Sequence, residues 1–173
     1  MSDAESSEPP GEPPVAVTLF SPGDLDAILE VDAESFLRPW TREMYEAELQ
    51  NQGVARIYVI RVAEFLAGYA ATWFLPGELH INNLAIRPGF RRQHLASRLL
   101  DRVMAAAAEA GCERATLEVR RSNEAARALY DAFGFQLAGI RPDYYTNPVE
   151  DALILWRDPA RPGDKTVEGS GAL

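Results

Sequence analysis

The feature that most constrains the fold is a change in the spacing of apolar residues in the middle of the chain. Residues 57–62, 66–74 and 78–87 are strand-like runs joined by short turns, which predicts antiparallel hairpins. From Gln93 to Gly111 the apolar residues recur every three or four positions, which predicts a helix. Residues 115–119 then form another strand-like run. Hairpins followed by a strand–helix–strand crossover predict a sheet with both antiparallel and parallel neighbours.

The N-terminal part of the chain predicts one strand and two helices before these hairpins. Residues 15–20 have the composition of a strand, and Ser21 followed by Pro22 is a typical start for a helix. Asp32 interrupts the apolar spacing of that helix. Thr41 suits the N-cap of a second helix that runs to about residue 50.

The C-terminal part predicts one more helix and two more strands. Ser122 and Asn123 cap a helix that runs to about residue 132, and residues 135–140 and 152–156 form the last two strands. The complete order is β-α-α-β-β-β-α-β-α-β-β. We therefore expect one α/β domain of the mixed α+β type, with a central mixed but mostly antiparallel sheet of about seven strands and helices on both faces.

The two ends of the chain differ in composition from this domain. Residues 1–13 are rich in proline and acidic side chains, and residues 159–173 are rich in proline, glycine and charge. Neither end can bury enough apolar surface to offset the entropy of ordering, so we expect disordered tails around a domain of residues 14–158. The formal net charge is −9, and removing the four acidic residues of the first tail leaves −5. An acidic domain argues against direct nucleic-acid binding.

The sequence also bears on compartment and metal binding. A single cysteine, Cys112, forms no internal disulfide, and we expect it to pack in the core. The N-terminus lacks a signal-peptide pattern, and no apolar run approaches the roughly 20 residues that span a bilayer. We therefore expect a soluble cytoplasmic protein. The only histidines, His80 and His94, lie in separate predicted elements, so we expect no metal site.

The start of the helix near Gln93 is a candidate anion site. A helix N-terminus presents unpaired backbone N–H groups and the positive end of the helix dipole. Arg87, Arg91, Arg92 and Arg98 add positive charge there, although like charges oppose the dipole and cost stability. A bound polyanion removes that cost, which favours a phosphate site. The alternative is a solvated basic start to a surface helix.

Two longer stretches carry a resemblance to a known family. NLAIRPGFRRQHLA, residues 83–96, resembles the acetyl-CoA-binding motif of the Gcn5-related N-acetyltransferases (GNAT), whose loop has the form Q/R-x-x-G-x-G/A. Arg91 matches its first position and Ala96 its last, whereas His94 replaces the middle glycine. LEVRRSNEAARALYDAFGF, residues 117–135, is similar to the second signature of that superfamily.

The resemblance covers about residues 15–157 and is greatest to one group within the superfamily. Phe36 with Pro39 and Trp40, the LEVR strand, and residues 141–145 and 150–152 are most similar to the RimI group. Those enzymes acetylate the N-terminal alanine of a ribosomal protein, the eighteenth of the small subunit. The resemblance thus implies an acetyl-CoA-dependent N-alpha-acetyltransferase acting on a protein N-terminus.

The resemblance implies which residues bind acetyl-CoA. The pantetheine arm is expected to add like a strand to the main chain of residues 84–86, and the pyrophosphate to meet the amides of residues 92–97. His94 is expected to be right-handed helical, with its N–H still directed at the anion. Asn123 is expected to reach the coenzyme arm, although it is equally suited to be an ordinary N-cap. The full set of expected coenzyme-binding residues is Leu84, Ala85, Ile86, Arg91, Arg92, Gln93, His94, Leu95, Ala96, Ser97 and Asn123.

The resemblance also implies the catalytic pair. Acetyl transfer to an amine needs a base for the amine proton and an acid for the leaving thiolate. Glu118 matches the base, although strand alternation alone also allows a polar outward-facing residue. Tyr130 matches the acid, although an aromatic residue at helical spacing is more often part of the core.

Aromatic residues at two other positions are candidates for acceptor binding. Tyr144 and Tyr145 lie in a polar segment that predicts a loop, and the resemblance implies that this loop closes over the peptide end. Phe36, Pro39 and Trp40 would form the opposite wall. An α-amine is about 3 kcal/mol easier than lysine to hold neutral at pH 7, which favours an N-terminus. Lysines, small amines or other N-termini, and a non-catalytic CoA-binding module, are the alternatives.

Overall fold

The computed structural model describes residues 13–51 and 53–158. The predicted tails therefore lie almost entirely outside the described residues. The helices are α1 (Leu25–Ser35), α2 (Arg42–Gln50), α3 (Leu95–Glu109) and α4 (Glu124–Ala132). The strands are β1 (Val15–Leu19), β2 (Ala55–Val62), β3 (Phe65–Leu75), β4 (Glu78–Ile86), β5 (Arg114–Arg120), β6 (Gln136–Thr146) and β7 (Val149–Arg157).

The strands form one seven-stranded sheet in the order β1-β2-β3-β4-β5-β7-β6. Strands β4 and β5 are parallel, and the other neighbours are antiparallel. This confirms the predicted element order and the mixed, mostly antiparallel sheet. The parallel pair is joined through α3, as the strand–helix–strand pattern predicted.

Helices cover both faces of the sheet, and each face has its own core. Helix α3 packs on one face, where Leu99, Val103 and Met104 are fully buried. Helices α1 and α2 pack on the other face, where Ile28, Val31 and Tyr45 are fully buried. Cys112 is buried in the first core, as expected, and burial raises the pKa of its thiol. No helix in the described part of the chain is long and apolar enough to cross a membrane.

The N-terminal predictions differ from the structure only in detail. A single turn of 3-10 helix, Pro22–Asp24, precedes α1, so the regular helix begins at Leu25. Thr41 caps α2 as predicted, because its side chain accepts a hydrogen bond from the Met44 amide. Asp32, which interrupts the apolar spacing, is completely buried within the second core.

The last two strands are longer than predicted, and the expected loop around Tyr144 and Tyr145 was wrong. Both tyrosines lie in β6, and Tyr145 pairs with Glu150 of β7. The register shifts between Arg141 and Tyr145, where Asp143 has a φ of 51°. This irregularity accommodates Pro142, which has no N–H for a ladder. The hairpin therefore continues past a sequence that is typical of a loop.

Candidate active site

The sheet opens where β4 and β5 part. Their pairing ends at Ile81 with Leu117, while β4 continues to Ile86 paired with β3 alone. The register between β3 and β4 shifts at this point, so Asn82 is an extra residue in β4. Because of this extra residue, the side chains of Leu84 and Ile86 lie on the same face of the sheet as Ile81, where they pack against α3. Beyond the bulge, β4 presents backbone groups to an open edge rather than to a neighbouring strand.

A cleft of about 590 Å³ lies at this opening. The α1–α2 loop forms one side of it and the β6–β7 hairpin the other, above the parting strands. Among the predicted site residues, the cleft is lined by Phe36, Trp40, Leu84, Glu118, Asn123, Tyr130, Tyr144 and Tyr145. Pro39 is exposed and is not part of this lining. The structure thus brings both predicted catalytic residues and four of the five predicted acceptor residues to one cavity.

Glu118 lies on β5 with its side chain largely enclosed. Its flanking residues, Leu117 and Val119, are buried on the opposite face, as strand alternation requires. The Glu118 side chain is nevertheless only 18% exposed, because His80 and Arg141 approach it. Its carboxylate oxygens lie 3.3 Å from His80 Nε2 and 3.6 Å from Arg141 Nη2. Glu118 is therefore not a freely solvated surface carboxylate.

His80 is a residue of this site that the sequence did not reveal. It lies on β4 opposite Thr116 of β5, so its side chain shares a face with Glu118. Its Nδ1 is 2.9 Å from Thr116 Oγ1, and its ring is 5.8 Å from the Trp73 ring. The parallel register of β4 and β5 creates the contact with Glu118. The spacing of residues in the sequence does not reveal which strands are neighbours, so it could not predict that His80 lies beside Glu118.

Tyr130 lies on α4 with its ring packed in the core and its side chain lining the cleft. The ring is edge-on to Phe135 at 5.6 Å between centroids, and Phe135 is buried as expected. Burial, and to a smaller extent Tyr145, raises the pKa of the Tyr130 hydroxyl well above its usual value. The hydroxyl has no hydrogen-bond partner within the described part of the chain. It is therefore protonated at neutral pH and available as a donor.

The turn before α3 differs from the prediction in one respect. His94 is left-handed, with φ 57° and ψ 15°, and the expected right-handed conformation was wrong. Arg92 is left-handed as well, with φ 62°. Left-handed residues in such a turn direct successive N–H groups to one side and form a concave anion-binding nest. The amides of Arg92, Gln93 and His94 have no hydrogen-bond partner among the described residues.

The arginines near this turn have separate roles. Arg91 and Arg92 are exposed, and Arg91 Nε donates to the Ile86 carbonyl at 3.0 Å. Arg87 was expected to contribute charge to the anion site, but its guanidinium lies against α1. It is 2.7 Å from Glu30 and 2.9 Å from Glu34. Arg87 therefore ties β4 to α1.

Asn123 and the β6–β7 hairpin border the same cleft. The Asn123 side chain accepts a hydrogen bond from the Ala126 amide at 3.2 Å, so it is the N-cap of α4. The Arg120 guanidinium lies 4.0 Å from the centre of the Tyr145 ring and 3.2 Å from Glu150. Tyr144 packs edge-on against Tyr145 at 5.2 Å. Arg120, which the sequence did not single out, therefore packs against the Tyr145 ring and links it to Glu150.

The described residues contain no cluster of three or more side chains that could hold a metal ion. The site consists instead of an open strand edge, a nest of free amides and an enclosed carboxylate near a buried phenol. An extended amide ligand fits the edge, and a phosphate fits the nest. The carboxylate can accept a proton and the phenol can donate one within the cleft that both line. These properties suit the transfer of an acyl group from an extended, phosphate-bearing donor.

Comparison with known proteins agrees with this class. Residues 25–135 match the acetyltransferase (GNAT) family, and the chain belongs to that family and is an N-acetyltransferase. A GNAT-family acetyltransferase from Elizabethkingia anophelis, crystallised with acetyl-CoA bound, has the same fold. Its TM-score is 0.67 at 17% identity, and the match covers 83% of this chain and 97% of that one.

More particular similarities are to alanine N-acetyltransferases. A Bacillus subtilis protein provisionally named a ribosomal protein bS18-alanine N-acetyltransferase is 41% identical over 133 residues, covering 77% of this chain and 88% of that protein. The Escherichia coli K12 ribosomal protein bS18-alanine N-acetyltransferase is 33% identical over 135 residues, covering 76% and 89%. The crystal structure of the Escherichia coli enzyme superposes with a TM-score of 0.78 at 27% identity, covering 88% and 98%.

Proposed function

We propose that this acetyltransferase transfers the acetyl group of acetyl-CoA to the α-amine of the N-terminal alanine of ribosomal protein bS18. The observation that carries the proposal is the convergence of Glu118, Tyr130 and an aromatic wall on one cleft at the open edge of β4. The likeness to named bS18-alanine N-acetyltransferases supports the choice of acceptor. The reaction would take place in the cytoplasm, where ribosomal proteins are made and assembled.

The open edge and the nest provide a site for acetyl-CoA. The backbone of Leu84, Ala85 and Ile86 would pair with the amides of the pantetheine arm, while their side chains pack in the two cores. The amides of residues 92–97 would bind the pyrophosphate, with Arg91 and Arg92 adding positive charge. When bound, the coenzyme supplies the thioester carbonyl that the amine attacks. Asn123 caps α4 and lines the cleft, where it would border the arm.

Glu118 and Tyr130 would then carry the two proton transfers. Glu118 takes a proton from the acceptor ammonium, directly or through water, and the neutral amine attacks the thioester carbon. As the amide forms and the C–S bond breaks, the Tyr130 hydroxyl would give its proton to the leaving sulfur. The extra proton on the amide nitrogen would be released and would restore the Tyr130 hydroxyl, directly or through water. His80 Nε2 lies 3.3 Å from a carboxylate oxygen of Glu118, and its N–H can donate a hydrogen bond to that oxygen. Arg141 forms an ion pair at 3.6 Å with the other oxygen of the carboxylate.

The aromatic walls favour a chain terminus as the acceptor. Phe36 and Trp40 on one side face Tyr144 and Tyr145 on the other, and the acceptor would enter between them. An α-amine loses its proton near pH 8, whereas lysine does so near pH 10.4, so a carboxylate base suits the α-amine better. Pro39 would shape the loop from outside the cleft.

The proposal is tested by a panel of peptides assayed with acetyl-CoA and mass spectrometry. The panel contains a peptide with the bS18 N-terminus, its variants beginning with methionine and serine, and an N-terminally blocked peptide with an internal lysine. We expect acetylation of the alanine peptide on its α-amine. Equal modification of the blocked lysine peptide would contradict the choice of an α-amine. Binding of acetyl-CoA without turnover on any peptide would instead indicate a non-catalytic module.

A further inference from the structure

A buried polar cluster behind the acceptor wall is not used by the proposed chemistry. Asp32 of α1 has no solvent exposure, yet its carboxylate contacts the hydroxyls of Tyr45 on α2 and Tyr69 on β3. The Tyr45 hydroxyl lies 2.8 Å from Asp32 and 2.7 Å from the Tyr69 hydroxyl. Tyr45 and Tyr69 are themselves fully buried. We call Asp32, Tyr45 and Tyr69 the Asp32 cluster.

The Asp32 cluster holds the end of the α1–α2 loop. The Trp40 amide donates to Asp32 Oδ2 at 3.1 Å, and the Trp40 ring lies 5.2 Å from the Tyr45 ring. Phe36 and Trp40 of this loop form one wall of the cleft. The other residues between them, including Leu37 and Arg38, are exposed. The position of this wall therefore depends on contacts at its ends.

The same cluster reaches the floor of the cleft on β4. The Asn83 side-chain amide donates to the Tyr69 hydroxyl at 3.4 Å, and Asn83 also lines the cleft. The next residue, Leu84, begins the edge proposed for the pantetheine arm. The bonds thus run from the loop through Asp32 and Tyr69 to Asn83, on the strand proposed to bind the pantetheine arm. The Asp32 cluster joins the acceptor wall to the donor site.

Stability alone does not account for these groups. The carboxylate is desolvated, and the bonds to it come from two neutral hydroxyls and one amide. Apolar side chains of the same volume commonly stabilise a core as well as buried charge does, or better. Directional hydrogen bonds supply something that apolar packing does not, which is a single position for the groups that they join. Here those groups are the Trp40 backbone and β4.

We propose that Asp32, Tyr45 and Tyr69 are positioning residues that fix the acceptor wall over β4 and thereby set the affinity for the acceptor peptide. The inference rests on the proposed function, in which this loop binds the acceptor. Glu118 and Tyr130 lie on β5 and α4, outside the Asp32 cluster, and the β4 edge is held by its ladder with β3. Loosening the cluster therefore affects acceptor binding more than chemistry or coenzyme binding.

The test compares Tyr69→Phe with Tyr58→Phe. Both remove one hydroxyl from a buried tyrosine, but Tyr58 lies in the other core, on the α3 face. Tyr69→Phe removes a hydroxyl that contacts Asp32, Tyr45 and Asn83. Loss of a single hydrogen bond corresponds to about fivefold, so we expect the KM for the bS18 peptide to rise at least about fivefold. The KM for acetyl-CoA and kcat should stay within about twofold, and Tyr58→Phe should leave all three near the wild-type values. Equal effects on both substrates, or an unchanged peptide KM, would overturn the proposal.

Amide hydrogen exchange provides a second measurement that does not depend on turnover. We expect faster exchange at the Trp40 amide in Tyr69→Phe and in Asp32→Asn than in Tyr58→Phe. Unchanged exchange at Trp40 would also overturn the proposal. If the wild-type protein does not acetylate the bS18 peptide, the proposed function fails, and exchange at Trp40 still decides whether the cluster holds the loop.

Discussion

The left-handed conformation of His94 allows a quantitative test of how the anion site is built. The left-handed conformation costs a residue with a Cβ about 1–2 kcal/mol of free energy, whereas it costs glycine almost nothing. Glycine also gains about 0.4–1 kcal/mol of conformational entropy in the unfolded chain, which offsets part of the relief. The His94 side chain is exposed, so its loss removes little packing. We therefore expect His94→Gly to be more stable than His94→Ala by about 0.5–1 kcal/mol.

The measurement is urea unfolding of the wild type, His94→Ala and His94→Gly, followed by titration of each with acetyl-CoA. His94→Ala keeps the Cβ and the strained φ, so it controls for loss of the imidazole. A turn whose left-handed strain is already present in the folded protein binds the coenzyme equally well with or without the Cβ, so we expect the Kd for acetyl-CoA to change by less than about threefold. If His94→Gly is no more stable than His94→Ala, the left-handed assignment is wrong. A more than tenfold rise in affinity would mean that the strain arises only on binding.

Three further perturbations test other parts of the account. Glu118→Gln should lower kcat about 100-fold or more, and Tyr130→Phe should lower kcat to a smaller extent. The affinity of both variants for acetyl-CoA, measured by calorimetry, should be nearly unchanged. Unaltered turnover in both variants would refute the proposed roles. Gly68→Ala should lower the free energy of unfolding by about 1–3 kcal/mol and weaken acetyl-CoA binding, because the new Cβ would lie closer than 3.0 Å to the Ala85 carbonyl oxygen. Urea unfolding of the wild type and Gly68→Ala, and titration of each with acetyl-CoA, test this, and wild-type stability of Gly68→Ala would exclude the close approach. Burial raises the pKa of Asp32, so the folded protein binds its proton more tightly than the unfolded chain does. The wild type should therefore lose stability relative to Asp32→Asn as the pH rises from about 4 through the raised pKa, and the opposite slope would contradict the shift.

The order of elements was predictable because apolar spacing records which face of each element is buried. Helix α3 and the hairpin of β2 and β3 have long, regular patterns, and the structure confirms them. The pattern does not predict the full length of β6. Pro142 and Asp143 lie at a register shift, and pairing with β7 continues on both sides of it. A local rule treats these residues as a loop, whereas pairing with β7 continues the strand beyond them. Tertiary pairing therefore decided the end of this strand.

The site was predictable only in part, for a similar reason. The signatures around Arg91 and Glu118 identify segments, but they do not state how neighbouring strands are registered. The contact of His80 with Glu118 follows from parallel pairing, and the position of Arg87 follows from the packing of α1. His94 was assigned a right-handed conformation because a side chain is easier to place there. The left-handed turn instead leaves three of its amides without a hydrogen-bond partner among residues 13–51 and 53–158.

The central claim is that Glu118 serves acetylation of the bS18 N-terminus. The most direct measurement is the intact mass of bS18 from cells that lack this protein and are complemented with either the wild type or Glu118→Gln. We expect the wild type to restore the mass of one acetyl group on the N-terminal alanine, and we expect Glu118→Gln, expressed at the same level, not to restore it. Full acetylation in the deleted strain, or equal restoration by both forms, would contradict it.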